Sequence, residues 1–193
     1  MTTRTTAVDH PSRRLVVALP QTYDEACERY ESLVPEVDFV RFSEMASWQA
    51  TLELAETNAC HGFMRYYRSD ITAAMIGSPS SWKTTQYLMG NHTIAERMFR
   101  HDPSVMVHAP LRTVLYVDPD GDTKLAEDQP SLLFDSYGNA EIASVGRELD
   151  ALLVQLREQQ DPRRFFHATY LRTTRAVGAE LAAGGFLERD ELG

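Results

Sequence analysis

Two rhythms of apolar and polar positions alternate along the 193-residue chain, and the changes of rhythm mark its elements. Residues 13–19, RRLVVAL, form a β-rich apolar run that predicts a first strand. Thr22 follows as a helix N-cap, with Glu25 three residues later completing a capping box. The helix it opens sets Ala26, Tyr30, Leu33 and Val34 on one side, and Pro35 ends it. Residues 36–46 show no clear period. Ser47 opens a second helix, in which Trp48, Leu52 and Ala55 recur at helical spacing with Leu54 alongside.

Strands come next. GFMRYYRSD (62–70) is aromatic-rich, and ITAAMI (71–76) either continues it or turns into a partner strand. GSPSS (77–81) is a turn cluster, and WKTTQYLMG (82–90) is a strand ending at Gly90. A short helix over 91–101 has Asn91 or Thr93 as its cap and Ile94, Ala95 and Met98 as its buried stripe. PLRTVLYVD (110–118) is the clearest strand, PDGD a turn, and TKLAED its return partner. Pro130 breaks the chain before a long amphipathic helix over 139–160, striped by Ile142, Val145, Leu149, Leu152, Leu153 and Leu156. A last helix over 162–187 is closed by Gly184 and Gly185. Strands in a run with helices to one side predict an α+β fold with a mainly antiparallel sheet. Residues 1–12 then form a loose arm, 13–160 a single domain, and 161–193 a C-terminal helical extension.

Composition narrows the function classes. The chain is 43% hydrophobic and 24% charged, so it can bury a core. Its net charge of −9 argues against a phosphate-tracking nucleic-acid surface and against an anionic membrane surface. No apolar run approaches the roughly 18 residues that span a bilayer. SRRLVVALP (12–20) has the twin arginines of an export signal, but its apolar run stops at Pro20, so a cytoplasmic protein is expected. Cys27 and Cys60 lie in helix-like runs and read as buried small hydrophobes in a reducing compartment.

Several apparent motifs dissolve on geometry. His92 and His101, nine residues apart, point to opposite sides of a helix and cannot share a metal ion. DPDGD (118–122) lacks the spacing of a calcium loop and suits a hairpin turn. No phosphate-binding glycine pattern, nucleophile elbow, HExxH or CxxC occurs. RRFFHATYLRTTR (163–175) is a basic, aromatic helix face whose simplest use is docking on an acidic body or a second subunit.

HGFMRYYRSD (61–70) most resembles a site. Strand alternation puts Phe63, Arg65 and Tyr67 on one face and Met64, Tyr66, Arg68 and Asp70 on the other. Arg65 with Tyr67 suits a carboxylate or carbonyl of a partly apolar ligand, with Tyr66 and Arg68 as further contacts. The competing reading is a sheet edge with an Arg68–Asp70 pair in water. Arg112 and His108 are weaker candidates of the same kind.

The stretch YLMGNHTIAERMFRHDPSVMVHAPLRTVLYVDPDGDTKLAEDQPSLL, followed by EIASVGRELDALLVQL, resembles the domain-of-unknown-function 302 family. The resemblance rests on Gly90-Asn91, Asp102-Pro103, Pro110-Leu111-Arg112, Asp120-Gly121 and Pro130-Ser131-Leu132, and covers about residues 60–156. It implies a TATA-binding-protein-like α+β fold, with a curved antiparallel sheet and helices on one face. It brings no catalytic residues. The family pattern has proline where this chain has His92, a position from which a histidine can be recruited for acid–base work.

The expectation is therefore an apolar hollow, enclosed by a curved sheet and the long helix, that holds a small organic molecule. In one version the protein is a cofactor-independent lyase, isomerase or cyclase. Arg65 or Arg112 would then hold a carboxylate or enolate, Tyr67 would orient it, and His92 or His108 would move a proton. In the other it is a non-catalytic binding or interaction module, with a homodimer as the natural assembly. Neither version uses a metal or cofactor.

Overall fold

Arg14–Leu19 extends as β1, and Thr22 then turns the chain into α1, Tyr23–Leu33. The capping box forms as the sequence implies: the Thr22 hydroxyl accepts the Glu25 amide while the Glu25 carboxylate accepts the Thr22 amide. Two further helices follow, α2 (Phe39–Ser43) behind an Asp38 cap and α3 (Trp48–Asn58) behind a Ser47 cap. Then come β2 (Met64–Asp70), a single helical turn α4 (Ile71–Ala74), β3 (Thr84–Gly90) and α5 (His92–Phe99). A 3₁₀ turn over Pro103–Val107 leads into β4 (Leu111–Val117), paired with β5 (Thr123–Asp128). Two helices complete the unit, α6 (Pro130–Asp135) and α7 (Ala140–Gln160). This computed structural model describes residues 5–160; the expected helix over 162–187 and its basic face lie outside the described residues.

The five strands form an open antiparallel sheet in the order β1-β5-β4-β3-β2. The architecture is α+β, as the element order predicts. Alternation along the strands sends Thr113 and Leu115 of β4 and Leu125 and Glu127 of β5 toward the helices. There Tyr30 of α1 bonds Thr113 Oγ1 at 2.6 Å, and Arg157 of α7 engages the buried Glu127 carboxylate. Burial holds that carboxyl above its usual range, against the opposing pull of Arg157.

The main core fills the space between sheet and helices. Tyr30, Tyr87, Met89, Leu115 and Leu125 meet Phe134, Ile142, Val145, Leu149, Leu153 and Leu156, all 5% exposed or less. Each such side chain contributes about 1.5–3 kcal/mol of transfer free energy, so α7 is fastened mainly by this stripe. The expected apolar hollow beneath α7 is thus occupied by the protein's own side chains. A second cluster, Val37, Ala55, Ala59 and Met64, closes the start of β2, with Phe42 and Tyr66 packed against it.

Other local expectations change as well. Residues 71–74 are helical rather than a strand, because the Asp70 carboxylate accepts the Ala73 amide and starts a turn. α3 buries Leu54 and Ala55 and leaves Trp48 and Leu52 outside, so its inner face is rotated from the one the spacing suggested. Cys27 is buried as expected, but Cys60 is exposed beyond the end of α3. The turn after β4 is a hairpin turn: Asp118 Oδ1 accepts the Asp120 and Asp122 amides, and Gly121 takes φ +90°.

Candidate functional site

β2 does not alternate evenly. Arg65 pairs with Met89 and Tyr67 with Leu88, so Tyr66 is an extra residue, a β-bulge. Uninterrupted alternation would place Arg65 and Arg68 on opposite faces. The bulge brings both to the helix side, where the carboxylate of Glu31 on α1 takes them together. Arg65 Nη1 lies 3.0 Å from one Glu31 oxygen and Arg68 Nε 2.7 Å from the other. The Tyr87 hydroxyl donates to the same carboxylate at 3.0 Å, and Glu36 takes the other end of Arg65 at 3.2 Å. Partial burial alone would raise the Glu31 carboxyl. The bonds from Arg68 and Tyr87, with the charge of Arg65, offset that and hold it below its usual range.

The bulge turns Tyr67 out of this hydrogen-bond network; half-exposed, it lines a pocket of about 280 Å³ together with Glu36, Arg65, Tyr66 and Arg68. Tyr66 turns instead toward α5. Its Oη accepts the His92 amide at 3.0 Å and lies 2.8 Å from His92 Nδ1. The phenol thus bonds both the backbone and the ring of His92, as donor or acceptor toward Nδ1 according to the imidazole tautomer. Phe42 packs edge-on to the His92 ring at 4.4 Å, and Phe39 to Tyr66 at 5.7 Å. Burial lowers the His92 pKa and pushes Tyr66 up to about 12.

The remaining sequence candidates lie elsewhere. His108 follows the 3₁₀ turn, ringed by His10, Phe134 and Tyr137; burial and the nearby His10 lower its pKa. Arg112 projects from the opposite side of the sheet, exposed beside Arg14 and Asp128. The structure therefore joins Arg65 to Arg68 and Tyr66 to His92, sets Tyr67 beside Arg65, Tyr66 and Arg68 around one pocket, and keeps His108 and Arg112 apart from them. The expected Arg68–Asp70 pair in water does not form, since Glu31 holds the guanidinium and Asp70 caps α4.

Arg68 leads to a groove that the sequence reading missed. It has a volume of about 410 Å³ and runs between one side of α1 and the ends of β2 and β3. Tyr23, Asp24, Cys27, Glu28 and Glu31, spaced at helical intervals, form one wall; Arg68, Asp70, Thr72, Lys83 and Thr85 form the other. Four carboxylates face two cations there. Lys83 spans to Asp24 at 3.4 Å and sits 5.5 Å from the Tyr23 ring centre, and the Tyr23 hydroxyl bonds Thr85 at 2.6 Å. Burial raises the Cys27 thiol, so it stays protonated at neutral pH and is no nucleophile. The missed signal is the polar i, i+4 series Asp24–Glu28 beside Tyr23–Cys27–Glu31. It reads as a solvated helix edge until β2 and β3 are set against it.

Residues 49–159 match the family model described as Domain of unknown function DUF302. The chain belongs to the DUF302 family. Residues 142–192 also match the model of a Family of unknown function, DUF5995, a stretch that begins within α7. Among solved structures, the DUF302 chain is similar to the "uncharacterized conserved protein DUF302 from Bacillus stearothermophilus". That crystal structure superposes with a TM-score of 0.57 at 16% identity, over 76% of this chain and 96% of that one, a likeness that speaks for the fold alone. No match was found among curated proteins. Among the described residues of this DUF302 protein, no helix is long and apolar enough to cross a membrane.

Proposed function

We propose that this DUF302 protein binds a small organic molecule, and that the ligand enters the α1–β2–β3 groove with a cationic group leading. The carrying observation is the excess of carboxylate along the groove. Lys83 engages Asp24, and Arg65 and Arg68 engage Glu31, whereas Glu28 meets no cation among the described residues. A protonated amine placed there would donate charge-assisted hydrogen bonds to Glu28 and to the second oxygen of Asp70. The Tyr23 ring would carry the apolar part of the molecule. The volume falls within the range of small-molecule sites. The walls are fixed by α1 and by the Glu31–Arg68 bond, so little ordering is left for the ligand to induce.

A second reading, the cofactor-independent enzyme, is favoured by the Tyr66–His92 pair. A neutral imidazole hydrogen-bonded at Nδ1 to a phenol is a proton-transfer unit, and its Nε2 would be the working end. Arg65 lies on the neighbouring strand position, committed to Glu31 and Glu36. On balance binding is the stronger reading, because the pair lines a wall of packed aromatics whereas the groove is open. A cytoplasmic setting agrees with both readings.

Calorimetric titration of 2-phenylethylamine and of 3-phenylpropionate separates the alternatives. The amine binds, Glu28→Gln weakens it at least tenfold, and the acid does not compete with it. An amine that fails to bind, or that binds Glu28→Gln as tightly as the parent, overturns the groove reading.

A further inference from the structure

The side of the sheet turned away from α1 and α7 is uncovered among the described residues. Strand register sets Arg14 and Val16 of β1, Ala126 and Asp128 of β5, and Arg112, Val114 and Tyr116 of β4 side by side on it. An exposed antiparallel face ordinarily carries polar side chains. Here the middle is apolar: Val16 is 52% exposed, and Val114, Tyr116 and Ala126 are partly exposed next to it. Sheet twist shapes the patch into a concavity of about 350 Å³ lined by Arg14, Arg112, Val114, Tyr116, Ala126 and Asp128, with Glu127 contributing from behind.

The charges at its rim are unequal. Arg14 Nε is held by Asp128 at 3.1 Å. Arg112, whose strand neighbour Thr113 is paired with Glu127 one step before Asp128, meets no carboxylate within ion-pair distance among the described residues. Two guanidinium groups against one carboxylate leave a local positive charge on a chain whose net charge is −9. That surplus disfavours a second copy of the same face, which would set like charges together, and favours an anion. Guanidinium is the donor whose planar fork matches a carboxylate in two parallel hydrogen bonds. The Val114–Tyr116–Ala126 floor suits a flat apolar body behind that carboxylate.

We propose that this open sheet face is a second ligand site, independent of the α1 groove, that takes an amphiphilic carboxylate. Arg112 clasps the carboxylate and the rings or chain lie over Val114, Ala126 and Tyr116. Asp128 limits the affinity by repulsion.

The test titrates 2-naphthoate, with neutral 2-naphthylmethanol as control, into the full chain while amide shifts are followed by NMR. Naphthoate shifts β1, β4 and β5 amides, and the alcohol binds at least tenfold more weakly. Arg112→Ala abolishes most of the naphthoate affinity, Arg112→Lys recovers only part of it, and Asp128→Asn tightens it severalfold. Glu28→Gln in the groove leaves it unchanged, which separates this site from the one proposed above. Arg112 is exposed, so its replacement does not threaten folding. Absence of naphthoate binding, equal binding of the alcohol, or an Arg112→Ala variant that binds like the parent overturns the proposal.

Discussion

The Tyr66 hydroxyl sits 2.8 Å from His92 Nδ1 while accepting the amide of the same residue, so one phenol ties together the start of α5 and its imidazole. A neutral ring is favoured twice: burial disfavours its charged form, and the helix N-terminus, positive by its dipole, disfavours it again. Folding therefore lowers the His92 pKa below its unfolded value near 6.5. Below that value the unfolded chain binds a proton that the folded chain resists, so stability is complete above about pH 7.5 and falls as pH drops toward the folded pKa. His108 acts in the same sense. Urea midpoints measured at pH 7.5, 6.5 and 5.5 should fall in that order. His92→Asn, whose side-chain oxygen can accept the Tyr66 proton but cannot titrate, should flatten the slope. A wild-type midpoint that holds constant or rises toward pH 5.5 refutes the assignment.

Tyr66→Phe removes both hydrogen bonds and leaves the His92 amide without its partner. The loss should be about 1–2 kcal/mol by urea denaturation at pH 7.5, since one donor is left unsatisfied in a half-buried setting. A change below about 0.3 kcal/mol would mean that water replaces the phenol without cost.

Glu31 holds two arginines and a tyrosine at once, and its replacement should be felt out of proportion to its own exposure. In Glu31→Gln the guanidinium of Arg65, with a side chain only 12% exposed, loses its nearest counter-charge and keeps only Glu36. Removing one partner of a largely buried pair is strongly destabilising, whereas exposed pairs matter little. We expect Glu31→Gln to cost about 2–3 kcal/mol and Arg68→Ala, at an exposed side chain, under about 1 kcal/mol. Equal losses from the two substitutions in chemical denaturation would show that Arg65 is content with Glu36 alone.

Much of this scaffold is legible in the sequence. Thr22–Glu25, Asn91 and the 139–160 stripe work by local rules, in which a side chain meets a backbone amide two or three residues away or shares a helix face. The bulge at Tyr66 is different. It is set by the register of β2 on β3, a pairing between distant segments that leaves no mark on residues 62–70 alone, and it reversed the face of Arg68. The same limit hid Glu31, whose partners come from two strands. The short helix at 71–74 was missed because one aspartate cap outweighed a β-like composition. The family resemblance and the fold were visible in the Gly-Asn, Asp-Pro and Pro-Leu-Arg landmarks. The groove was not, since its two walls are far apart in sequence.

The approach of α7 to α6 supplies a last prediction. Gly146 lies in the middle of α7, where glycine costs about 1 kcal/mol relative to alanine in helix propensity. Its justification is contact. A Cβ built there would meet the Phe134 Cβ at 3.0 Å and the Ser131 Cα at 3.1 Å, with the Pro130 carbonyl 3.5 Å away. Ser131 is anchored by the Asp150 carboxylate, which accepts its amide at 3.0 Å, so the α6 backbone is not free to retreat. Phe134 is fully buried and equally confined. Overpacking of about 1–3 kcal/mol then exceeds the propensity gain. Gly146→Ala should lower the denaturation midpoint, and Gly146→Val should lower it further. Asp150→Asn, which loosens the Ser131 anchor, should reduce the penalty of Gly146→Ala in the double variant, because the two sites share one contact. A Gly146→Ala protein more stable than its parent would show that α6 can shift by a few tenths of an ångström at no cost.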